Sequence, residues 1–228
     1  EVRNLHPENV WGHFHALTRI PRPTGQMEEV TRFVMDFGKR LNLEVKQDKV
    51  GNVVLKKPAT KGYENGKTII LQSHLDMVPQ KNSGVEHDFA RDPIEAYVDG
   101  EWVKARSTTL GADNGIGCAM MMAVLEDDTI QHPAIEALFT VDEEVGMDGA
   151  NGLEKGFLEG TLMLNLDTEE EGELCIGCAG GRDVNVSFRY QPDTDIDKGD
   201  VAYKVSLRGL KGGHSGVQIH LGRANANK

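Results

Sequence analysis

The chain has 228 residues and a formal net charge of −11, with 39% apolar and 27% charged residues. This composition is ordinary for a globular protein, and the negative charge argues against nucleic-acid binding, which needs clustered positive charge. No apolar run approaches the roughly 20 residues that span a membrane, and residues 1–10 show no secretory signal pattern. Three cysteines do not suit a disulfide framework, so we expect a reduced, cytoplasmic protein.

The hydrophobic patterns predict an α/β fold with a largely parallel central sheet. Apolar residues at three- and four-residue steps predict a helix over residues 24–41, with Thr24 as its N-cap, and a second helix from 113 to about 125. Short β-favouring runs predict strands, the last four of them buried, at residues 43–47, 52–56, 68–74, 135–140, 162–166 and 174–178. Strands that alternate with helices favour parallel pairing.

The pair Gly180-Gly181 is predicted to separate two domains, at residues 1–181 and 182–228. Alternating patterns at 183–190 and 201–207 predict two strands that open the second domain. The last five residues show neither a turn nor a helix cap, so we expect the sequence to be part of a longer protein.

Candidate functional side chains follow the predicted strands. In open α/β sheets, ligands bind beyond the carboxyl ends of the strands, so residues distant in sequence meet there. His74 and Asp76 are two apart and point to the same side of an extended segment. His74 can bind a metal through one ring nitrogen while Asp76 fixes the ring. A surface histidine beside a turn aspartate explains the same pattern.

The remaining candidates are carboxylates. Asp113 is either the cap of the following helix or a ligand that bridges two cations. Glu143 and Glu144 are either solvated loop acids or, if the chain turns there, one metal ligand and one general base. Asp167 ends a predicted strand and is a candidate ligand, whereas the acids at 169–171 are predicted to be solvated.

One histidine with several carboxylates suits a divalent cation with nitrogen and oxygen ligands, zinc first and manganese or cobalt as other candidates. The sequence contains no phosphate-binding loop, no dinucleotide fingerprint and no serine nucleophile elbow. The predicted chemistry is therefore metal-assisted.

Five longer strings in this order carry a family resemblance: SHLDMVPQKN at 73–82, TTLGADNGIG at 108–117, EEVGMDGA at 143–150, LNLDTEEEGELCIGCAGG at 164–181 and LKGGHSG at 210–216. They resemble the bacterial aminoacyl-histidine dipeptidases, also called Xaa-His dipeptidase, peptidase D or carnosinase-like enzymes, of the zinc aminoacylase and carboxypeptidase superfamily. The resemblance implies a catalytic α/β zinc-peptidase domain followed by the beginning of an inserted α+β lid domain.

The resemblance also implies a role for each candidate residue. It assigns one zinc ion to His74 and Asp167, a bridge between two zinc ions to Asp113, the second zinc to Glu144, general-base catalysis to Glu143, orientation of His74 to Asp76, and substrate binding to the lid residue His214. The family's second zinc takes a further histidine that no residue of this chain matches. Residues 1–228 alone are therefore expected to be inactive.

The implied activity is two-zinc hydrolysis of short peptides, X-His dipeptides such as β-alanyl-histidine above all. The expected partner is the peptide substrate, with no nucleic acid or membrane, and a homodimer is one expected assembly. Two alternatives remain open: a related zinc amidohydrolase that deacylates N-acyl amino acids, and a non-catalytic metal-binding fragment.

Overall fold

The structure is a computed structural model that describes residues 1–168, 172–177, 184–192, 195, 197–206, 209, 212 and 219–222. The helices are α1 Glu8–Thr18, α2 Glu28–Arg40, α3 Ala112–Glu126 and α4 Asp148–Asn151. The strands are β1 Glu44–Gln47, β2 Val53–Lys57, β3 Ile69–His74, β4 Ala96–Asp99, β5 Trp102–Ala105, β6 Ile135–Thr140 and β7 Leu162–Asn165. The chain divides into two compact units, Glu1–Glu171 and Gly172–Lys228.

A five-stranded sheet in the order β1-β2-β6-β3-β7 forms the centre of the first unit. Strand β3 pairs in parallel with both β6 and β7, whereas β2 is antiparallel to β1 and β6. Four of the five strands therefore run in one direction, and the predicted α/β class is confirmed. Strands β4 and β5 form a separate antiparallel hairpin.

The core lies where helices α1, α2 and α3 pack with the sheet. Phe14 and Leu17 of α1, Phe37 of α2 and Met121 of α3 belong to one buried apolar cluster together with alternate residues of β2 and β6, such as Phe139. All six residues of β6 are buried, because this strand is paired on both sides. Burial on both faces favours the four apolar residues of this strand, Ile135, Ala137, Leu138 and Phe139.

Helix α2 begins at Glu28, four residues later than predicted. The predicted N-cap, Thr24, is wrong: Met27 occupies the N-cap position, and the Thr24 hydroxyl instead donates a hydrogen bond of 2.9 Å to Asp76 Oδ2. The predicted apolar stripe is nevertheless the buried face of α2, with Val30, Val34 and Phe37 inside. A tertiary hydrogen bond therefore replaced the local one that the sequence suggested.

Strand β7 forms where a strand was predicted, but the predicted burial is wrong. Leu162, Met163 and Leu164 are 46–48% exposed. The reason is the position of β7 at the edge of the sheet, where only β3 pairs with it among the described residues.

The strands predicted at 174–178, 183–190 and 201–207 are not found in the residues of those ranges that the structure describes. Their alternating apolar side chains are exposed, among them Ile176, Phe188 and Tyr203. An alternating pattern becomes a strand only when a neighbouring strand accepts its hydrogen bonds, and those described residues have no such neighbour.

Helices α1 and α4 and the β4–β5 hairpin were not predicted. Helix α1 packs against α3 and contributes Phe14 and Leu17 to the core. Within the described part of the chain, no helix is both long and apolar enough to cross a membrane.

Candidate metal centre

The candidate site lies at the carboxyl edge of the parallel strands. In the parallel register His74, the last residue of β3, is opposite Thr140, the last residue of β6, and Gln72 is opposite Asn165 at the end of β7. The segments that follow β6 and β7 therefore leave the sheet beside His74. The start of α3 also reaches this edge, since its residue Asp113 contacts the His74 ring.

His74 is 1% exposed, and both of its ring nitrogens have partners. Nδ1 donates a 3.0 Å hydrogen bond to the backbone carbonyl of Asp76, and Nε2 lies 2.9 Å from Asp113 Oδ1 and 3.8 Å from Asp167 Oδ2. When the imidazole is neutral, this arrangement places the proton on Nδ1 and the lone pair of Nε2 among carboxylates. That is the orientation a histidine needs to bind a metal.

The predicted ligands form two groups that share His74. One contains His74, Glu143 and Glu144, and the other contains His74, Asp113 and Asp167. Within each group, the potential ligand atoms all lie within 4.8 Å of one another. One nitrogen and four carboxylates from separate chain segments fit one or two divalent cations, with zinc the first candidate.

The closeness of the buried carboxylates also supports the binding of a divalent cation. Burial, then the neighbouring carboxylate of Asp113, raises the pKa of Glu144 to about 7. Burial also raises the pKa of Asp167 to about 6, and its charge interaction and hydrogen bond with Asp113 act in the same direction. Carboxylates that resist ionisation because they are buried, and because other carboxylates lie nearby, are groups that a bound cation stabilises in the charged form.

The neighbouring carboxylates favour the charged form of His74, whereas they disfavour the charged forms of Glu144 and Asp167. Burial by itself lowers the pKa of His74, but hydrogen bonds to Asp113 and Asp76 outweigh this and raise the pKa to about 10. A cation on Nε2 therefore has to displace a proton, so metal binding at this site is coupled to proton release.

Asp76 is fully buried, and its carboxylate has several partners besides the His74 ring. Its carboxylate accepts hydrogen bonds from the backbone amides of Glu143, at 3.0 Å, and Glu144, at 3.2 Å, and from the Thr24 hydroxyl. Burial raises the pKa of Asp76, but His74 and the two amides outweigh burial and lower it to about 2. A carboxylate that stays charged therefore connects the β3 end to the loop after β6.

The chain turns sharply between β6 and Glu143. Asp142 has a φ of 50°, in the left-handed region, and the Gly146 and Met147 amides both donate to the Glu143 carbonyl. This turn allows the amides of Glu143 and Glu144 to face the same carboxylate, which a straight strand would forbid. The turn that both glutamates need in order to share one site is present.

Asp113 faces His74 across the site. The N-cap residue of α3 is Gly111, which has no side chain, and Asp113 near the start of the helix has non-helical backbone angles. Its contact with His74 Nε2 favours the ligand alternative over the capping alternative. His214 and the acids at 169–171 lie outside the described residues, so the lid histidine stays a prediction.

Two site residues escaped the sequence analysis. Arg22 is 2% exposed and donates to backbone carbonyls on two site loops, and Thr24 bonds Asp76. No spacing marks them, because their partners are more than 50 positions away. The one available signal is an arginine between two prolines, Pro21 and Pro23, in a short connection.

A mostly parallel α/β sheet with a histidine–carboxylate site at its carboxyl edge defines a class of protein, the α/β proteins built around a divalent-metal centre. The sequence profile of peptidase family M20/M25/M40 matches residues 70–206, more than half of the chain. The chain belongs to this family.

Individual relatives agree with that assignment. The chain is 48% identical over all of its 228 residues to the cytosol non-specific dipeptidase of Escherichia coli, and covers 47% of that protein. It is similar to the crystal structure of an aminoacylhistidine dipeptidase from Vibrio alginolyticus, with 49% identity, a TM-score of 0.74, and 75% of this chain and 35% of that chain covered. For the aminopeptidase PepT of Bacillus cereus the identity is 25% and the TM-score 0.63, over 73% and 44% of the two chains. The chain spans about half the length of the curated relatives it matches.

Proposed function

We propose that the protein is a metal-dependent dipeptidase that hydrolyses X-His dipeptides, with Glu143 as the general base. The observation that carries the proposal is the convergence of His74 with four carboxylates at one sheet edge, in a chain of a peptidase family. Two relatives, a non-specific dipeptidase and an aminoacylhistidine dipeptidase by name, support a dipeptide substrate.

The proposed ligand assignment uses both groups of residues. His74 and Asp167 would hold one cation, Glu144 would hold a second, and Asp113 would be a ligand of both. Two zinc ions, when bound, supply Lewis-acid polarisation of the scissile carbonyl and lower the pKa of the attacking water. The shared position of His74 in the two groups, and the raised pKa values of Glu144 and Asp167, support this assignment.

Glu143 is the proposed proton carrier. It takes a proton from the attacking water and delivers one to the leaving amine, which is general acid–base work. Its position supports this role, since its half-buried side chain belongs to the His74 and Glu144 group while its amide is fixed by Asp76. Asp76 in turn holds the His74 ring, so one buried carboxylate aligns a ligand and the base.

The rest of the proposal concerns the whole protein. We infer that the segment from about residue 182 opens a lid domain, and that His214 binds substrate and stabilises the developing oxyanion. A homodimer and a cytoplasmic location belong to the same proposal, and the word cytosol in the name of the E. coli relative supports the location. The family resemblance of the string LKGGHSG at 210–216 supports the role proposed for His214.

The decisive experiment uses full-length protein that is stripped of metal and then given zinc. Its substrates are X-His dipeptides including β-alanyl-histidine, dipeptides without histidine, and N-acyl amino acids. The variant is Glu143→Gln, with the exposed hairpin residue changed in Glu101→Gln as the matched control. We expect zinc-restored cleavage of X-His dipeptides, a loss of about 10²–10⁴-fold in kcat for Glu143→Gln, and no change for the control.

Each other outcome has a defined meaning. Equal cleavage of dipeptides with and without histidine would replace the X-His preference by a general dipeptidase. Cleavage of N-acyl amino acids alone would retain the site and identify a deacylase. Zinc binding without any hydrolysis would leave a metal-binding protein, and full activity of Glu143→Gln would refute the role of that residue.

A further inference from the structure

A buried arginine lies directly behind the candidate metal centre. The Arg22 side chain is fully enclosed, although a charged group is expensive to bury without partners. Its Nη1 donates to the carbonyls of Leu75, at 2.8 Å, and Asp76, at 3.3 Å, and its Nη2 donates to the carbonyl of Gly111, at 2.5 Å. All three acceptors are backbone atoms. They lie one or two residues from the proposed ligands His74 and Asp113.

The residues after Arg22 bind the same region. The Thr24 hydroxyl donates to Asp76 Oδ2 at 2.9 Å, and the Gly25 amide donates to Asp142 Oδ1 at 2.7 Å, beside Glu143. Residues 22–25, here called the 22–25 segment, thereby contact the loop after β3, the start of α3 and the loop after β6. These three segments carry three of the five candidate ligand and base residues, and a fourth, His74, immediately precedes the first of them as the last residue of β3.

Two glycines leave room for the guanidinium. A Cβ on Gly111 would lie 2.6 Å from Arg22 Nη2, and a Cβ on Gly115 would lie 2.5 Å from the same atom. Both contacts are closer than side-chain atoms tolerate, so the two glycines that flank Asp113 match the position of Arg22. The start of α3 is therefore shaped around the arginine as well as around the metal centre.

We propose that Arg22 is a positioning residue of the metal centre, and that the 22–25 segment sets the separation of the ligand-bearing loops. This inference rests on the proposed metal-dependent function and adds a residue to it. The planar guanidinium suits the task, because its fixed donors can hold two loops at one spacing, which a lysine ammonium cannot. Its positive charge also lies behind a cluster of carboxylates that repel one another.

The test measures zinc affinity by competition with a chelator, kcat and KM on the best dipeptide, and thermal unfolding of the metal-free full-length protein. The variants are Arg22→Met, Arg22→Lys and Thr24→Val. Two matched controls make the same chemical change away from the centre. Arg19→Met alters an exposed arginine, and Thr60→Val removes a part-buried threonine hydrogen bond to His132.

We expect zinc affinity and kcat to fall by about 10–100-fold in Arg22→Met and by a smaller factor in Thr24→Val, as for residues that support metal ligands elsewhere. KM should stay within about threefold, and Arg22→Lys should recover only part of the loss. The controls should keep the zinc affinity, kcat and KM of the wild type. A purely structural role would lower the unfolding temperature and leave the zinc affinity of the folded protein unchanged.

The inference is overturned if Arg22→Met and Thr24→Val fold and bind zinc as tightly as the wild type. If Arg22→Met fails to fold, Thr24→Val decides by itself, since it removes one hydroxyl and keeps the side-chain shape. If the wild type binds zinc but cleaves no peptide, the proposed function fails, and the zinc affinities still decide the role of Arg22. If the wild type binds no zinc, both proposals fall.

Discussion

At the scale of single residues, the site depends on a few buried polar groups that each serve several partners. Asp76 contacts the His74 ring and the amides of Glu143 and Glu144. Against the effect of burial, these partners lower its pKa to about 2, so the carboxylate is ionised at neutral pH. A buried group with several charged or amide partners is costly to change, since each partner would lose its hydrogen bond in a place that water does not reach.

The Asp76→Asn substitution isolates this effect. An asparagine keeps one acceptor oxygen but turns its NH₂ group toward donors. At the Oδ2 position the NH₂ group faces both the Glu144 amide and the Thr24 hydroxyl, and at the Oδ1 position it faces the Glu143 amide. We expect kcat and zinc affinity each to fall by about 10–100-fold, measured by steady-state kinetics and chelator competition. Asp99→Asn, on the exposed hairpin strand β4, is the control and should change neither quantity. Wild-type kinetics in Asp76→Asn would show that its hydrogen bonds do not matter for the site.

At the scale of elements, close packing rather than propensity decides where glycine is required. Gly117 lies within α3, and a Cβ there would meet Asn114 Oδ1, Ser73 Oγ at 2.5 Å and the Leu166 carbonyl at 3.0 Å. Gly12 lies within α1, and a Cβ there would have nothing within 4 Å. The helical patterns around the two glycines do not distinguish them, because the atoms that crowd Gly117 come partly from β3 and from the end of β7.

We therefore expect opposite effects from one substitution. Gly12→Ala should stabilise the protein by about 0.5–1 kcal/mol, since alanine loses less backbone entropy in a helix. Gly117→Ala should destabilise it by about 1–3 kcal/mol through overpacking against β3. Urea unfolding of the two metal-free variants measures both values. Equal effects at the two positions would contradict the packing argument.

At the scale of the whole molecule, a buried ion pair connects the sheet to the segment before β7. Glu136 of β6 is 2% exposed, contacts Lys56 Nζ of β2 at 2.8 Å and accepts hydrogen bonds from the Glu159 and Gly160 amides. Burial raises the pKa of Glu136, but Lys56 and the two amides outweigh burial and lower it below its usual 4.5. Its contribution to stability is therefore complete above the unfolded-state pKa and is lost as the pH falls through the folded-state value.

Glu136→Gln should cost about 1–3 kcal/mol at pH 7, because the ammonium of Lys56 loses its buried charged partner. The difference from wild type should shrink as the pH drops below about 4.5, where the wild-type carboxylate also becomes protonated. Urea unfolding of the two metal-free proteins at several pH values measures this difference in the free energy of unfolding. Glu159→Gln removes the exposed partner of the same lysine and should cost less than about 0.5 kcal/mol. A difference independent of pH would exclude ionisation as the cause.

Much of the fold follows from local patterns. Strand β6 was predicted with its observed bounds and β3 within one residue, because short runs rich in apolar and β-favouring residues indicate strands. Helix α1 was missed, since its apolar residues are interrupted by histidines and its core contacts come from α3. The edge position of β7, which exposes Leu162 to Leu164, depends on which strands pair, and a single sequence does not state pairing.

The sequence by itself determined the chemistry of the candidate site. The residue types at the ends of three predicted strands and at the start of a predicted helix indicated a histidine–carboxylate metal centre, and the expected parallel strand order implied that they converge. Only the tertiary structure decided how that centre is held: Thr24 bonds Asp76 instead of capping α2, Asp113 faces His74, and Arg22 ties the loop after β3 to the start of α3. The physical reason is the separation in sequence between the interacting residues. Periodicity and spacing report local backbone preferences, whereas these hydrogen bonds join atoms 39 to 89 positions apart and exist only once the sheet has brought the loops together.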